Sequence, residues 1–314
     1  MSNFLVLELG SKSLKIHRKV GDGSFEKYKV PWDAGHEVYR EGRLSTGSRD
    51  LLVDIVRRLE RRGFRREAML AVATGALRDA VDREAFLAFV RERLSIEIRI
   101  LSGREEASLL AQGFIDASTE RPALVLDIGG GSLQTVYLAP DQTILRDSLP
   151  LGAIRLHYLG RDSRDRFDHG FVSEMIEGIL REASVIQVPA ACGTGGPVKA
   201  LAQVLGRERM TLEDLTALEE RVLREGPPPG LKPERSMIFL PGVMVMRRLL
   251  AHCGASQLRY LAIPVGRIFL GRFLDRARPE LGDRSNVMLL SNLRVTGIFP
   301  APRSEPPGPG PSRK

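Results

Sequence analysis

The sequence predicts an α/β protein built from two related halves, and three observations carry that reading. A carboxylate–glycine–serine turn between apolar strands occurs twice. It stands first as Val6-Leu7-Glu8-Leu9-Gly10-Ser11-Lys12-Ser13-Leu14 and again as Val125-Leu126-Asp127-Ile128-Gly129-Gly130-Gly131-Ser132-Leu133. Apolar runs of strand length alternate with helix-period segments along most of the chain, as in sheets covered by helices. With 314 residues the chain is also long enough for two cores. Each turn offers backbone N–H groups and hydroxyls to phosphate oxygens, beside a carboxylate able to take a divalent cation or its waters. Two such hairpins imply halves facing each other across a phosphate-binding cleft.

The first half reads as strands over Phe4–Leu9, Leu14–Val20 and Phe25–Val30, the last two joined by Gly21-Asp22-Gly23-Ser24. Helical periodicity runs from Ser48 to about Arg62, then a buried strand over Ala68–Ala73 leads into Thr74-Gly75-Ala76-Leu77-Arg78-Asp79. A helix over Asp82–Leu94 and a short strand over Glu97–Leu101 follow. The next helix, Ser102 to about Ser118, is closely specified: Ser102 and Glu105 fit a capping box. Ala107, Leu110, Ala111, Phe114, Ile115 and Ser118 form its small or apolar face, which leaves Glu106 without a structural assignment.

Arg121-Pro122 is the expected crossing, giving a first domain over 1–120 and a second over 121–285. The second half opens with the hairpin of Leu124–Gly131 and Leu133–Ala139, followed by a strand over Thr143–Leu149. Helices over Ser173–Ile186 and Leu212–Glu225 flank Ala190-Ala191-Cys192-Gly193-Thr194-Gly195-Gly196. Pro197 is expected at the first position of another helix, so this glycine turn is a third anion-friendly element. Helices over Ser236–His252 and Arg267–Arg278 with a strand over Leu258–Ala262 complete the half. An extension over 286–314 becomes Pro/Gly/Ser-rich and is expected to be disordered from about residue 300.

No apolar run reaches the roughly 18–20 residues of a membrane span, and the N-terminus has no basic leader, so the expectation is a cytoplasmic protein without membrane contact. Cys192 and Cys253 are too few for a disulfide framework and read as buried thiols. The five histidines show no metal-ligand spacing. A net charge of +8 favours a polyanionic partner. Nucleic acid is not the expected one, because the arginine-rich stretch Arg57–Arg66 offers only Phe64 for base stacking. The P-loop and Rossmann fingerprints are absent.

Six segments read in order resemble the exopolyphosphatase and guanosine pentaphosphate phosphatase family: Glu8-Leu9-Gly10-Ser11-Lys12-Ser13, Ala73–Ala80, Ser102-Gly103-Arg104-Glu105-Glu106-Ala107, Asp127–Ser132, Ser148–Leu156 and Gly193–Gly196. The similarity extends from about residue 4 to residue 275 and is to the short, two-domain members. It implies two ribonuclease H-like domains of the actin-like ATPase superfamily with the active site between them. It also implies roles. Glu106 would be the general base, Glu8 and Asp127 the acids associated with Mg²⁺ or Mn²⁺, and Arg78 a phosphate contact. Gly10, Ser11, Lys12, Ser13, Gly129, Gly130, Gly131, Ser132, Gly193, Thr194, Gly195 and Gly196 would cradle phosphate. The substrate would be polyphosphate or a guanosine polyphosphate, and a homodimer is the assembly to test for.

The chain departs from that family's pattern at four positions. Glu8 stands for aspartate, Lys12 for asparagine, Gly75 for serine and Gln134 for glutamate. Together these reduce negative charge around a metal and add positive charge near phosphate. They motivate an alternative, a catalytically weakened polyphosphate- or nucleotide-binding sensor. A sugar or acetate kinase of the same superfamily fits Ser102–Ala107 and Ala73–Ala80 less well.

Overall fold

Each repeated turn opens a sheet built in the same order. In the first half β1 (Leu5–Leu9) pairs antiparallel with β2 (Ser13–Lys19), and β2 with β3 (Phe25–Pro31). Strands β4 (Met69–Ala73) and β5 (Ile98–Ile100) add in parallel on the other side of β1. The second half repeats this path with β6 (Ala123–Ile128), β7 (Leu133–Leu138), β8 (Ile144–Leu149) and β9 (Ala190–Thr194). Strand β10 (Arg209–Thr211) then borders β11 (Gln257–Tyr260), which lies parallel to β9. Strand orders 3-2-1-4-5 and 10-11-9-6-7-8 are one topology traced twice, with β10 as an added edge. The expected fold of two ribonuclease H-like α/β halves holds.

This computed structural model describes residues 4–19, 25–141, 144–183, 186–263, 268 and 271. The turn expected at 21–24 and the extension 286–314 lie outside the described residues, as does the helix expected at 267–278 apart from 268 and 271. No helix among the described residues is long and apolar enough to cross a membrane.

Period-two alternation decides which side chains reach the cleft. Leu5, Leu7 and Leu9 of β1 enter the first core with Trp32, Val56 and Phe86, so Val6 and Glu8 face the other way. In β6, Leu124, Leu126 and Ile128 join the second core, while Ala123, Val125 and Asp127 share the opposite face. Helix α2 (Thr46–Arg61) and helix α4 (Arg83–Leu94) cover the first sheet. Of the remaining helices, α7 (His169–Glu182), α8 (Gly195–Leu205), α9 (Leu212–Glu225) and α10 (Pro233–His252) surround the second core.

Three short helices add to those the periodicity predicts: α1 (Ala34–Glu41), α3 (Gly75–Asp79) and α6 (Ala153–Leu159). Helices α1 and α6 occupy equivalent positions, each following the third strand of its sheet, and they pack on each other across the halves.

Helix α5 (Gly103–Ala117) has the capping box the sequence predicts, with Ser102 Oγ accepting from Glu105 N at 3.2 Å and Ser102 N donating to Glu105 Oε2 at 2.7 Å. Its packing does not follow the expected division at residue 121. Ala107, Leu110, Ala111 and Phe114 pack against Ala123, Val125 and Val136 of the second sheet. Leu109 meets Val6 and Val72 of the first. The helix is thus a joint between the sheets, and its N-terminal turn carries Glu106 into the gap.

Candidate active site between the two halves

The two turns have the same internal hydrogen bond: Gly10 N donates to Ser13 O at 3.2 Å, and Gly129 N to Ser132 O at 2.9 Å. Each also meets the start of its own short helix, Gly35 N reaching Ser11 O at 2.6 Å and Ala153 N reaching Gly129 O at 3.0 Å. Ser11 Oγ accepts from Ala76 N at 3.2 Å, tying the first turn to α3. The turns touch. A Cβ on Gly130 would lie 2.8 Å from Ser11 Cβ. At Gly152, before α6, a Cβ would lie 2.2 Å from the Gly131 carbonyl carbon, so only glycine permits this approach. Gly195 has φ +93°, and a Cβ there would lie 2.6 Å from Asp127 Oδ1. The three glycine elements therefore converge on one cavity of about 340 Å³.

The charged side chains in that cavity are unevenly matched. Glu8 is engaged at both oxygens, by Lys15 at Oε1 and by His17 Nε2 at Oε2, 2.8 Å away. Burial pushes its carboxyl up, but the Lys15 charge and the hydrogen bond with His17 overcome that and hold it at about 2. Burial raises Asp127 to about 6, against the pull of Lys15 and with the Glu8 charge adding to it. Glu106 rises to about 7 because burial outweighs its pairing with Arg78. Lys15 stays protonated, its value raised although burial opposes the charge, because Glu8, Asp127 and Glu106 all face its ammonium.

The expected divalent-cation site can be tested on this donor set. A hard cation needs free carboxylate oxygens, yet both oxygens of Glu8 are already engaged, one by the Lys15 ammonium and one by His17 Nε2. Gln134 presents an amide that donates to Ser132 Oγ at 2.7 Å and Ser148 Oγ at 3.3 Å. Among the described residues no group of three or more His, Cys, Asp or Glu side chains converges as a metal site. Glu8 is an ion-pair partner in this arrangement and does not fit as a metal ligand. Of the two acids expected at the metal, that leaves Asp127, which borders the cavity.

Of the residues expected to cradle phosphate, Gly10, Ser11, Lys12 and Ser13 line the cavity from the first half. Gly129, Gly130, Gly131 and Ser132 line it from the second turn, and Thr194, Gly195 and Gly196 from the third. Glu106, Glu8 and Asp127 border the same space.

Two of the expected residues lie outside that lining. Arg78 is not in the lining: its Nη1 donates to Leu101 O at 2.6 Å and to Glu106 Oε2 at 2.8 Å, so it is placed to orient Glu106. Gly193 lies in β9, where a Cβ would meet Leu258 Cδ1 at 2.9 Å, so its glycine serves packing and not the cavity.

Sequence reasoning missed Lys15 and His17, which the β1–β2 register sets opposite Glu8 and Val6. The available signal was the hairpin itself, since a tight turn at residues 10–12 fixes that register. Arg155 is accounted for by bonding to Asp79 and by lying 4.9 Å over the Tyr39 ring, which clasps the halves together.

The family model for the Ppx/GppA phosphatase family matches residues 52–262. Among solved structures, an exopolyphosphatase-like protein superposes with TM-score 0.68 at 20% identity, over 87% of this chain and 99% of that one. An exopolyphosphatase from Cytophaga hutchinsonii gives TM-score 0.66 at 18% identity, over 87% and 98%. A Ppx/GppA family member from Aquifex aeolicus gives 0.63 at 18%, over 87% and 98%. At these identities the structural likeness concerns the fold.

Proposed function

From the premise that the chain belongs to the Ppx/GppA phosphatase family, we propose that it releases the terminal phosphate of inorganic polyphosphate or guanosine pentaphosphate by attack of water. The observation that carries this is Glu106: a carboxylate held at about 7, directed into a cavity where three phosphate-type turns meet. A base poised near neutral pH combines availability with driving force for proton transfer.

In this reading the water oxygen bonds to the terminal phosphorus and its proton passes to Glu106. The bridging P–O bond breaks with its electron pair going to the shortened chain. Lys15 and the backbone N–H groups of the turns face the charge that develops on the phosphoryl oxygens. Arg78 holds Glu106 in position from behind.

The test is orthophosphate release from defined polyphosphate and from guanosine pentaphosphate, each with and without Mg²⁺ or Mn²⁺. Release from either supports the reading, and no release under any condition rejects it. A pH profile adds a second check. Because the base must be deprotonated, kcat/KM should rise with pH through about 7 and level off above it. Arg78→Gln removes a cation that lowers Glu106, so the rising limb should move to higher pH. An unmoved limb would contradict the positioning role.

A second reading, binding without turnover, is favoured by the engaged Glu8 and the neutral Gln134. It expects tight polyphosphate binding and no release in the wild type, with release appearing on Lys12→Asn plus Gln134→Glu. Robust wild-type turnover rejects it.

A further inference from the structure

The cavity has an open rim that the reaction at Glu106 does not use. In β3 the side chains of Lys27 and Lys29 share one face, and the register sets them opposite His17 and Lys15 of β2. Like charges directly opposite on neighbouring strands destabilise a sheet. Here Lys15 is neutralised by Glu8, whereas Lys29 is not: among the described residues neither Lys27 nor Lys29 forms an ion pair.

The facing half brings more of the same charge. Arg235, near the start of α10, lines the same cavity and donates to Gln203 Oε1 at 3.0 Å. Lys12 spans the gap, with Nζ donating to the backbone carbonyl of Glu234 at 2.8 Å. Burial lowers Lys12 to about 8, helped by Lys29 and Arg235, so these cations feel one another across the halves. Lysines on an edge strand also deter strand addition, but that role needs only exposure. It does not require them to line a cavity shared with Arg235.

We infer that Lys12, Lys27, Lys29 and Arg235 form a subsite for the phosphates that follow the reacting one, which makes a linear polyphosphate chain the preferred substrate class. This rests on the reading of the cleft as the site of terminal-phosphate hydrolysis. A chain of phosphates supplies a charge at every unit and so meets successive cations along the rim. A nucleoside would need a stacking surface there, and the aromatic rings lining the cavity among the described residues, Phe239 and the His17 imidazole, are only 3% and 2% exposed.

The test titrates the full-length chain with long-chain polyphosphate and with tripolyphosphate, with and without Lys27→Gln plus Lys29→Gln. A Glu106→Gln background keeps the polymer intact whether or not the wild type hydrolyses it. The subsite predicts a rise in Kd of roughly tenfold for the long chain and less than about twofold for tripolyphosphate. The slope of log K against log salt should fall by roughly 0.7 per lysine removed. Lys27→Arg plus Lys29→Arg should restore long-chain binding, which separates charge from folding damage. Equal weakening of both ligands, an unchanged long-chain Kd, or no long-chain binding at all overturns the subsite. Absence of phosphate release by the wild type would instead count against the hydrolysis reading and leave these titrations decisive.

Discussion

Replacing Glu106 by Gln is expected to lower phosphate release by about 10³-fold, the usual scale for losing a general base, while polyphosphate still binds. The amide keeps the size of the side chain and can still meet Arg78, but it cannot accept the proton of the attacking water. Arg78 Nη1 lies 2.8 Å from Glu106 Oε2 and bonds to Leu101 O as well, so the residual structure around position 106 should survive. The split matters. A fall in turnover with unchanged Kd assigns Glu106 to chemistry, whereas a parallel loss of binding would assign it to shaping the cleft.

The largest expected effect on stability lies elsewhere, in the second core. Glu219 of α9 is 4% exposed and accepts from His169 Nε2 at 2.8 Å, Arg247 Nε at 2.6 Å and Arg248 Nη1 at 3.0 Å. Removing one partner of a buried ion pair leaves the other charge uncompensated, and Arg248 is itself only 7% exposed. Glu219→Ala should therefore cost about 3–5 kcal/mol and lower the melting midpoint on the order of 10 °C. Burial acts to raise the Glu219 value, but hydrogen bonds to Arg247 and His169 and the Arg248 charge hold it below the ordinary one. A carboxyl lowered on folding contributes stability above its unfolded value and loses it as pH falls through the folded value. The gap between wild type and Glu219→Gln should thus be widest at neutral pH and close in acid. A gap independent of pH would contradict the ion-pair account.

Legibility in the sequence follows the length and regularity of the local signal. The repeated hairpins and the α5 capping box are readable because turn chemistry and caps are local properties of four to nine residues. Helices α1 and α6 are not, because each spans about two turns and has a glycine that helix propensity disfavours in its first turn or at its N-cap. Those glycines are explained by contacts distant in sequence: Gly35 lies against the Ser11 carbonyl and Gly152 against Gly131. The site is legible to the same degree. Glycines of the three turns, Gly193 apart, can be assigned to the cavity from pattern alone. Which partner a guanidinium selects depends on packing, so Arg78 reads as a phosphate contact although it bonds to Glu106. Glu8 likewise reads as a free acid until the register shows Lys15 opposite it. The lysines of β3 are invisible for another reason, since an edge strand rich in lysine is ordinary until the opposite wall of a cavity is known.

The central claim, that water attacks a terminal phosphoryl group in this cleft with Glu106 as base, is tested most directly by hydrolysing polyphosphate in ¹⁸O-labelled water and weighing the products. The account predicts one labelled oxygen in each released orthophosphate, none in the shortened chain, and labelled orthophosphate formed about 10³-fold more slowly with Glu106→Gln. Label in the shortened chain, or labelled orthophosphate formed as fast by Glu106→Gln as by the wild type, would contradict it.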